Sequence, residues 1–196
     1  MSPGLDSAER AIPLIFKILV YLLLCVFFVQ AVEMFSAYTP GQQWPFLLGM
    51  LRTWTFLPIH EAGHLLFKFF GRTLNILGGS FWQVMFPFLW FLIALKQRSH
   101  VAPFALFWTG ENMMDVSLYV RDAPLRWLPL LGGHASRHDW YNLLQDWNAL
   151  DSAETVADVF FIGGAVTCIL SVGSGVVLAL RSFYKPALGS KEIDLA

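Results

Sequence analysis

The stretch Pro58-Ile59-His60-Glu61-Ala62-Gly63-His64 decides how this chain is read, because it sets two histidines and a carboxylate inside an apolar run. His60 and His64 are four positions apart. On a helix they rise from one face a turn apart, so two neutral imidazoles can reach one divalent ion. Glu61 lies between them, placed to take a proton from a metal-bound water. The flanks are Phe46-Leu47-Leu48-Gly49-Met50-Leu51 and Leu65-Leu66-Phe67-Lys68-Phe69-Phe70. Ionisable groups in such surroundings are costly without partners, so the cluster is a functional hypothesis by default.

The rest of the chain explains those surroundings. Of 196 residues, 56% are hydrophobic and 14% charged, against about 25% charged in globular proteins. A mean hydropathy of +0.56 completes the signature of an integral membrane protein. The net charge of −1 gives no footing for a nucleic-acid partner. Cys25 and Cys168 both fall in apolar runs, which favours membrane-buried thiols over a disulfide.

Apolar segments of about 20 residues can span a bilayer. About five approach that length: 11–35, 45–70, 79–95, 100–120 and 155–183. The expectation is therefore an all-α, polytopic membrane helix bundle, a single domain over 1–196, with the lipid bilayer as its surroundings. One polar segment, 121–152, reads as a structured loop with a short helix near 140–147. Asp151 and Glu154 resemble a capping box opening the last helix. That helix carries small residues at four-residue spacing, Gly163, Thr167, Ser171, Gly175 and Ala179. Such a stripe lets a second helix approach closely, within the chain or in an oligomer. Lysines and arginines divide evenly between the two sides, so the positive-inside count sets no orientation.

A metal needs at least one more ligand. His134 and His138 repeat the four-residue spacing, and Asp139 follows directly. Glu111 and Asp115 share a helix face in the fourth segment. Each is a candidate to ligate the metal or to orient a ligand imidazole through its second N–H. His100, isolated at a segment boundary, reads as an ordinary histidine. Asn112 and Gln83 are polar at membrane depth and are candidates to hydrogen-bond a substrate, or to join helices.

The histidine motif in a span, followed by Gly78-Gly79 read as a turn and by Asn112 with Asp115 in a later span, resembles a reduced site-2 protease-type intramembrane zinc metalloprotease. The resemblance implies His60, His64 and Asp115 as zinc ligands and Glu61 as the base. The family's aspartate stands in an Asn-Pro-x-Asp-Gly setting, whereas Asn112-Met113-Met114-Asp115-Val116 lacks the proline and glycine. Glu111-x-x-x-Asp115 is also similar to the Glu-x-x-x-Asp element of thermolysin-like enzymes, which would make Glu111 the ligand. A third resemblance, to a group of small bacterial membrane proteins, covers about residues 55–150. It rests on the histidine motif, Gly78-Gly79-Ser80, Asn112/Asp115, Asp122-Ala123, Leu128-Pro129-Leu130-Leu131-Gly132-Gly133 and His138-Asp139-Trp140. It adds weight to His138 and Asp139.

Together these readings point to a zinc-dependent membrane hydrolase of the bacterial inner membrane, a metalloprotease acting on membrane-associated peptides. Its expected site is Glu61 as base and His60, His64, Asp115 and His138 as ligands. Glu111, Asp139 and His134 stand as orienting groups or alternative ligands, and Asn112 and Gln83 as substrate contacts. Two alternatives remain: a non-catalytic metal-binding or structural membrane protein, and a di-iron lipid-modifying enzyme.

Overall fold

A computed structural model describes residues 3–36, 39, 41–128 and 138–184, with side chains from residue 12 onward. Among the described residues every regular element is helical. The seven α-helices are α1 (Pro3–Ser36), α2 (Phe46–Leu51), α3 (Leu57–Phe67), α4 (Arg72–Lys96), α5 (Ala102–Arg121), α6 (Asp139–Asp146) and α7 (Ala153–Tyr184).

Among the described residues, three stretches are long and apolar enough to cross a membrane: Ile12–Ser36, Arg72–Lys96 and Leu150–Tyr184. Their outward faces carry large exposed apolar side chains such as Phe16, Leu19, Ile93, Ile162 and Ile169. That much contiguous apolar surface suits a lipid environment rather than water. The expectation of five such spans is not met by this measure. α5 is inside instead of lipid-facing, with both its apolar and its polar residues buried, Phe107, Glu111, Asn112, Met114, Asp115 and Leu118 among them. The 45–70 segment divides at a wide π-helical turn, Arg52–Phe56, between α2 and α3. Pro58 accounts for the division, since its ring would clash with the carbonyl four residues back in a regular helix.

α5 packs closely on α7 because both have glycine at the crossing. A Cβ on Gly110 would lie 2.5 Å from Cys168 Sγ, and one on Gly164 would lie 2.6 Å from the Gly110 carbonyl oxygen. The small-residue stripe of α7 meets elements of the same chain: Gly163 abuts Met113, Ser171 donates to the Pro103 carbonyl, and Gly175 abuts Tyr21. The capping box is not formed, because Glu154 accepts from Arg121 Nε at 2.9 Å instead. Arg121 also holds Asp158 and the Phe35 carbonyl, joining α1, α5 and α7 at one end of the bundle.

The polar segment contains its expected short helix, α6, which lies across the start of α4. Trp140 Nε1 donates to Ser80 Oγ at 3.0 Å, and Arg72 pairs with Asp146. Trp140, Leu143 and Leu144 pack with Val116, Val120, Ala153 and Ala157. Gly78 and Gly79, expected in a turn, are buried inside α4. Their lack of side chains serves helix packing: a Cβ on Gly63 of α3 would run into the Gly78 carbonyl, and one on Gly78 would lie 2.7 Å from Phe67 Cβ.

Candidate metal centre

α3 presents His60 and His64 to α4 and to the first residue of α6. His60 Nε2 and His64 Nε2 are 3.1 Å apart, and Asp139 Oδ2 lies 3.0 Å from the first and 3.1 Å from the second. Among the described residues these three side chains form the group of ligand type close enough to share an ion. Zinc at about 2.0–2.1 Å from tetrahedral ligands separates them by roughly 3.3 Å, so this triangle is nearly one face of such a shell. His60 is buried; His64 and Asp139 are partly exposed, which leaves the outward side open.

The tautomers follow from what surrounds the rings. Arg52 Nε donates to Asp115 Oδ1 at 2.8 Å, which keeps that buried carboxylate an acceptor. Gln83 therefore turns its amide N–H to Asp115 Oδ2, at 2.8 Å. Its carbonyl oxygen then faces His60 Nδ1 at 3.0 Å and accepts from it. His64 Nδ1 donates to the Asn75 carbonyl at 2.8 Å, while Asn75 Nδ2 donates back to the His64 carbonyl at 2.7 Å. With both Nδ1 atoms acting as donors, the two Nε2 atoms and the Asp139 carboxylate converge. Such a group, within hydrogen-bond distance on every side, could hold a metal ion or share a proton.

The space beside the two Nε2 atoms is kept by Gly79. A Cβ there would lie 2.5 Å from His60 Nε2 and 2.7 Å from His64 Nε2, so any side chain would fill the cradle. Asp139 is equally constrained. Its backbone N–H donates to Tyr119 Oη at 2.9 Å, and Tyr119 Oη lies 3.4 Å from Asp139 Oδ2. Burial pushes the Asp139 carboxyl up, but hydrogen bonding to His60 and His64 outweighs it and holds the group at about 2. It is an anion at any working pH.

Asp115 and His138, expected as ligands, contribute no atom to the trio. Asp115 is spent on Arg52 and Gln83. His138 is fully buried, caps α6 by accepting from Tyr141 N at 3.1 Å, and donates to Asp122 Oδ2 at 3.2 Å. Asp122 also accepts from Trp127 and Leu128 N–H groups. His138 thus anchors the start of α6 and delivers its neighbour Asp139 to the imidazoles. Gln83 orients a ligand ring, and Asn112 Nδ2 donates to the Trp108 carbonyl at 2.7 Å. Glu111 is buried on α5, one turn before Asp115. Glu61 is exposed on α3. His134 lies outside the described residues, and His100 stands in an exposed turn.

Arg52, Asn75 and Tyr119 were not singled out in the sequence. Arg52 had a readable signal, a lone arginine in an apolar segment. Tyr119 stands four residues after Asp115, on the same helix face. Asn75 is the one amide in Leu74-Asn75-Ile76-Leu77. Compared with protein-family models, curated proteins and solved structures, the chain matches none.

Proposed function

We propose that the protein is a membrane-embedded zinc hydrolase that cleaves amide bonds of membrane-associated peptides. The observation that carries this reading is the convergence of His60 Nε2, His64 Nε2 and Asp139 Oδ2 within 3.1 Å, with Gly79 keeping their centre clear. Two imidazoles and one carboxylate are the ligand set of catalytic zinc sites that keep a fourth position open. One trio also suits a single ion better than the pair that a di-iron enzyme needs. The apolar helices Ile12–Ser36, Arg72–Lys96 and Leu150–Tyr184 support a bilayer setting, and the 45–70 and 100–120 segments complete a polytopic bundle inside it. A bacterial inner membrane is the setting the small-protein resemblance favours.

Zinc held there would supply Lewis acidity and bring a bound water to a pKa of about 7. The chain's own groups do the rest. Arg52, Asp115 and Gln83 hold His60 in the Nδ1–H tautomer, and Asn75 does the same for His64. Glu61 is adjacent to His60 and exposed. It takes the proton from the attacking water and gives it to the amine that leaves as the C–N bond breaks.

The test is metal analysis and peptidase assay on purified protein in lipid nanodiscs. Wild type should hold one zinc. Glu61→Gln should keep that zinc while turnover of an apolar reporter peptide disappears. A Glu61→Gln protein as active as wild type removes the hydrolase mechanism, whatever its metal content.

A further inference from the structure

Tyr119 stands beside the trio, and the two hydrogen-bonding roles of its hydroxyl are unequally met. Its oxygen accepts the Asp139 backbone N–H at 2.9 Å. Its proton faces Asp139 Oδ2 at 3.4 Å, beyond the about 2.5–3.0 Å of an ordinary O–H···O bond. That same carboxylate oxygen is turned to His60 Nε2 and His64 Nε2, at 3.0 and 3.1 Å. The hydroxyl proton therefore has a poor acceptor, and one already shared with two ring nitrogens. A cation drawn to that oxygen would make it poorer still.

The ring is not free to swing towards another partner. It lies edge-on to the His60 ring, with centroids 5.8 Å apart at 67°, and 4.4 Å from the His138 ring at 39°. Its neighbours on α5, Leu118 and Val120, are fully buried and fix its root. Tyr119, His64 and Asp139 each keep part of their surface open, whereas His60 is buried. The hydroxyl is thus a fixed donor among the groups on the open side of the trio. Rotation of the O–H redirects its proton without moving the oxygen. A donor fixed in place, with a weak partner at rest, is suited to a charge that appears only during reaction.

We propose that Tyr119 is a catalytic residue whose O–H donates a hydrogen bond to the oxyanion formed on the scissile carbonyl. This role deepens the hydrolase reading and rests on it. As the water oxygen bonds to the carbonyl carbon, the C=O π pair moves onto the carbonyl oxygen. Tyr119 gives that oxygen a hydrogen bond and keeps its own proton. When the pair returns, the C–N bond breaks and the amine leaves with the proton carried by Glu61. Tyr119 then turns back to Asp139 Oδ2.

The experiment uses the full chain, saturated with zinc, in phosphatidylcholine nanodiscs. The variant is Tyr119→Phe, whose ring fills the same place between His60 and His138. Two probes share one apolar peptide sequence. One is a phosphinic peptide, whose charged tetrahedral oxygens copy the oxyanion. The other ends in a thiol, whose sulfur is only a weak acceptor. Titration calorimetry should show Tyr119→Phe binding the phosphinic probe about 10–100-fold more weakly, the loss of one hydrogen bond to a charged group. The thiol probe should bind both proteins within about twofold, which also checks that the site is intact. For the reporter peptide, kcat should fall about 100–1,000-fold with KM within about twofold. Equal weakening of both probes, or loss of zinc from the variant, would make Tyr119 a support for Asp139 and overturn the proposal. A phosphinic probe bound equally by both proteins, or wild-type kcat in the variant, overturns it too. The hydrolase reading fails separately, in a wild type that holds zinc and cleaves nothing; an active wild type matched by an equally active Tyr119→Phe defeats only the role of Tyr119.

Discussion

Asp115 and Glu111 are acids one turn apart on the same buried face of α5, and their surroundings are opposite. Both oxygens of Asp115 are engaged, by Arg52 and Gln83 at 2.8 Å each. Neither oxygen of Glu111 has a partner. The difference separates an acid built into a framework from one that stands outside it. Asp115 belongs to a chain of fixed groups running Arg52, Asp115, Gln83, His60, which ends by aiming His60 Nε2 at His64 and Asp139. Glu111 belongs to no such chain. An unpaired polar group persists in a buried position only at a stability cost.

The comparison breaks most sharply at the trio. His60→Ala, His64→Ala and Asp139→Ala should each lower zinc affinity by well over 100-fold, since removal of an orienting partner alone costs about 10–100-fold. Asp115→Asn and His138→Ala should fall within that smaller range. Isothermal titration against zinc in detergent would rank the five. An Asp115→Asn loss as large as that of Asp139→Ala would move Asp115 from framework to ligand.

Arg52→Leu tests the framework itself. It strands the buried Asp115 carboxylate and should destabilise the fold by about 3–5 kcal/mol. Replacing both, Arg52→Leu with Asp115→Leu, should restore much of that stability, because no unpaired charge remains. Zinc affinity should stay low in the double variant, since Gln83 is then free to flip and His60 to change tautomer. Recovery of affinity along with stability would show that the relay does not orient the ring.

Gly79→Ala should abolish zinc binding without touching any ligand, because a methyl there would sit 2.5 Å from His60 Nε2. Gly78→Ala is its control. It intrudes on Phe67 instead, and its effect should appear in stability before metal content.

How much of this was readable beforehand divides along the same lines. The helical, membrane-like character follows from long apolar runs, and the His60/His64 pair follows from a four-residue spacing that any helix enforces. The short helix after His138 was visible for the same local reason. The choice of third ligand was not. Asp115 and Asp139 are both acids near a histidine pattern, and what separates them is Arg52, 63 residues before Asp115 in the chain. That pairing holds Asp115 away from the His60–His64–Asp139 trio and is invisible to local spacing. Gly78-Gly79 failed differently. Glycine pairs mark turns in soluble chains, but in an apolar helix they mark where another helix comes close, and here the approaching group is a pair of imidazoles. The divided 45–70 segment had its signal in Pro58, whose consequence is a widened turn that carries Arg52 to Asp115.

The Asp139 carboxyl gives a pH test in metal-free protein. Its folded pKa of about 2 lies below the ordinary value of about 3.9. A depressed acid contributes stability that is fully present above the unfolded value and is lost as pH falls through the folded one. The melting-temperature gap between wild type and Asp139→Asn should therefore be widest at neutral pH and close between about pH 4 and pH 2. Glu111 supplies the contrast, since no folded-state partner holds its ionised form, and Glu111→Gln should show no gap closing over that window.

The smallest effect carries the cleanest sign. Asp115→Leu removes one member of a buried pair and leaves Arg52 charged and alone, so it should destabilise. Glu111→Leu removes a carboxyl that no group satisfies and fills the same place with methyls, so it should stabilise, by about 1–3 kcal/mol. Chemical denaturation in mixed micelles would measure both. Opposite signs for two acids four residues apart on one helix would separate a partnered acid from an unpartnered one without any assay of activity. If Glu111→Leu destabilises as Asp115→Leu does, then the Glu111 carboxyl is already partnered within the fold.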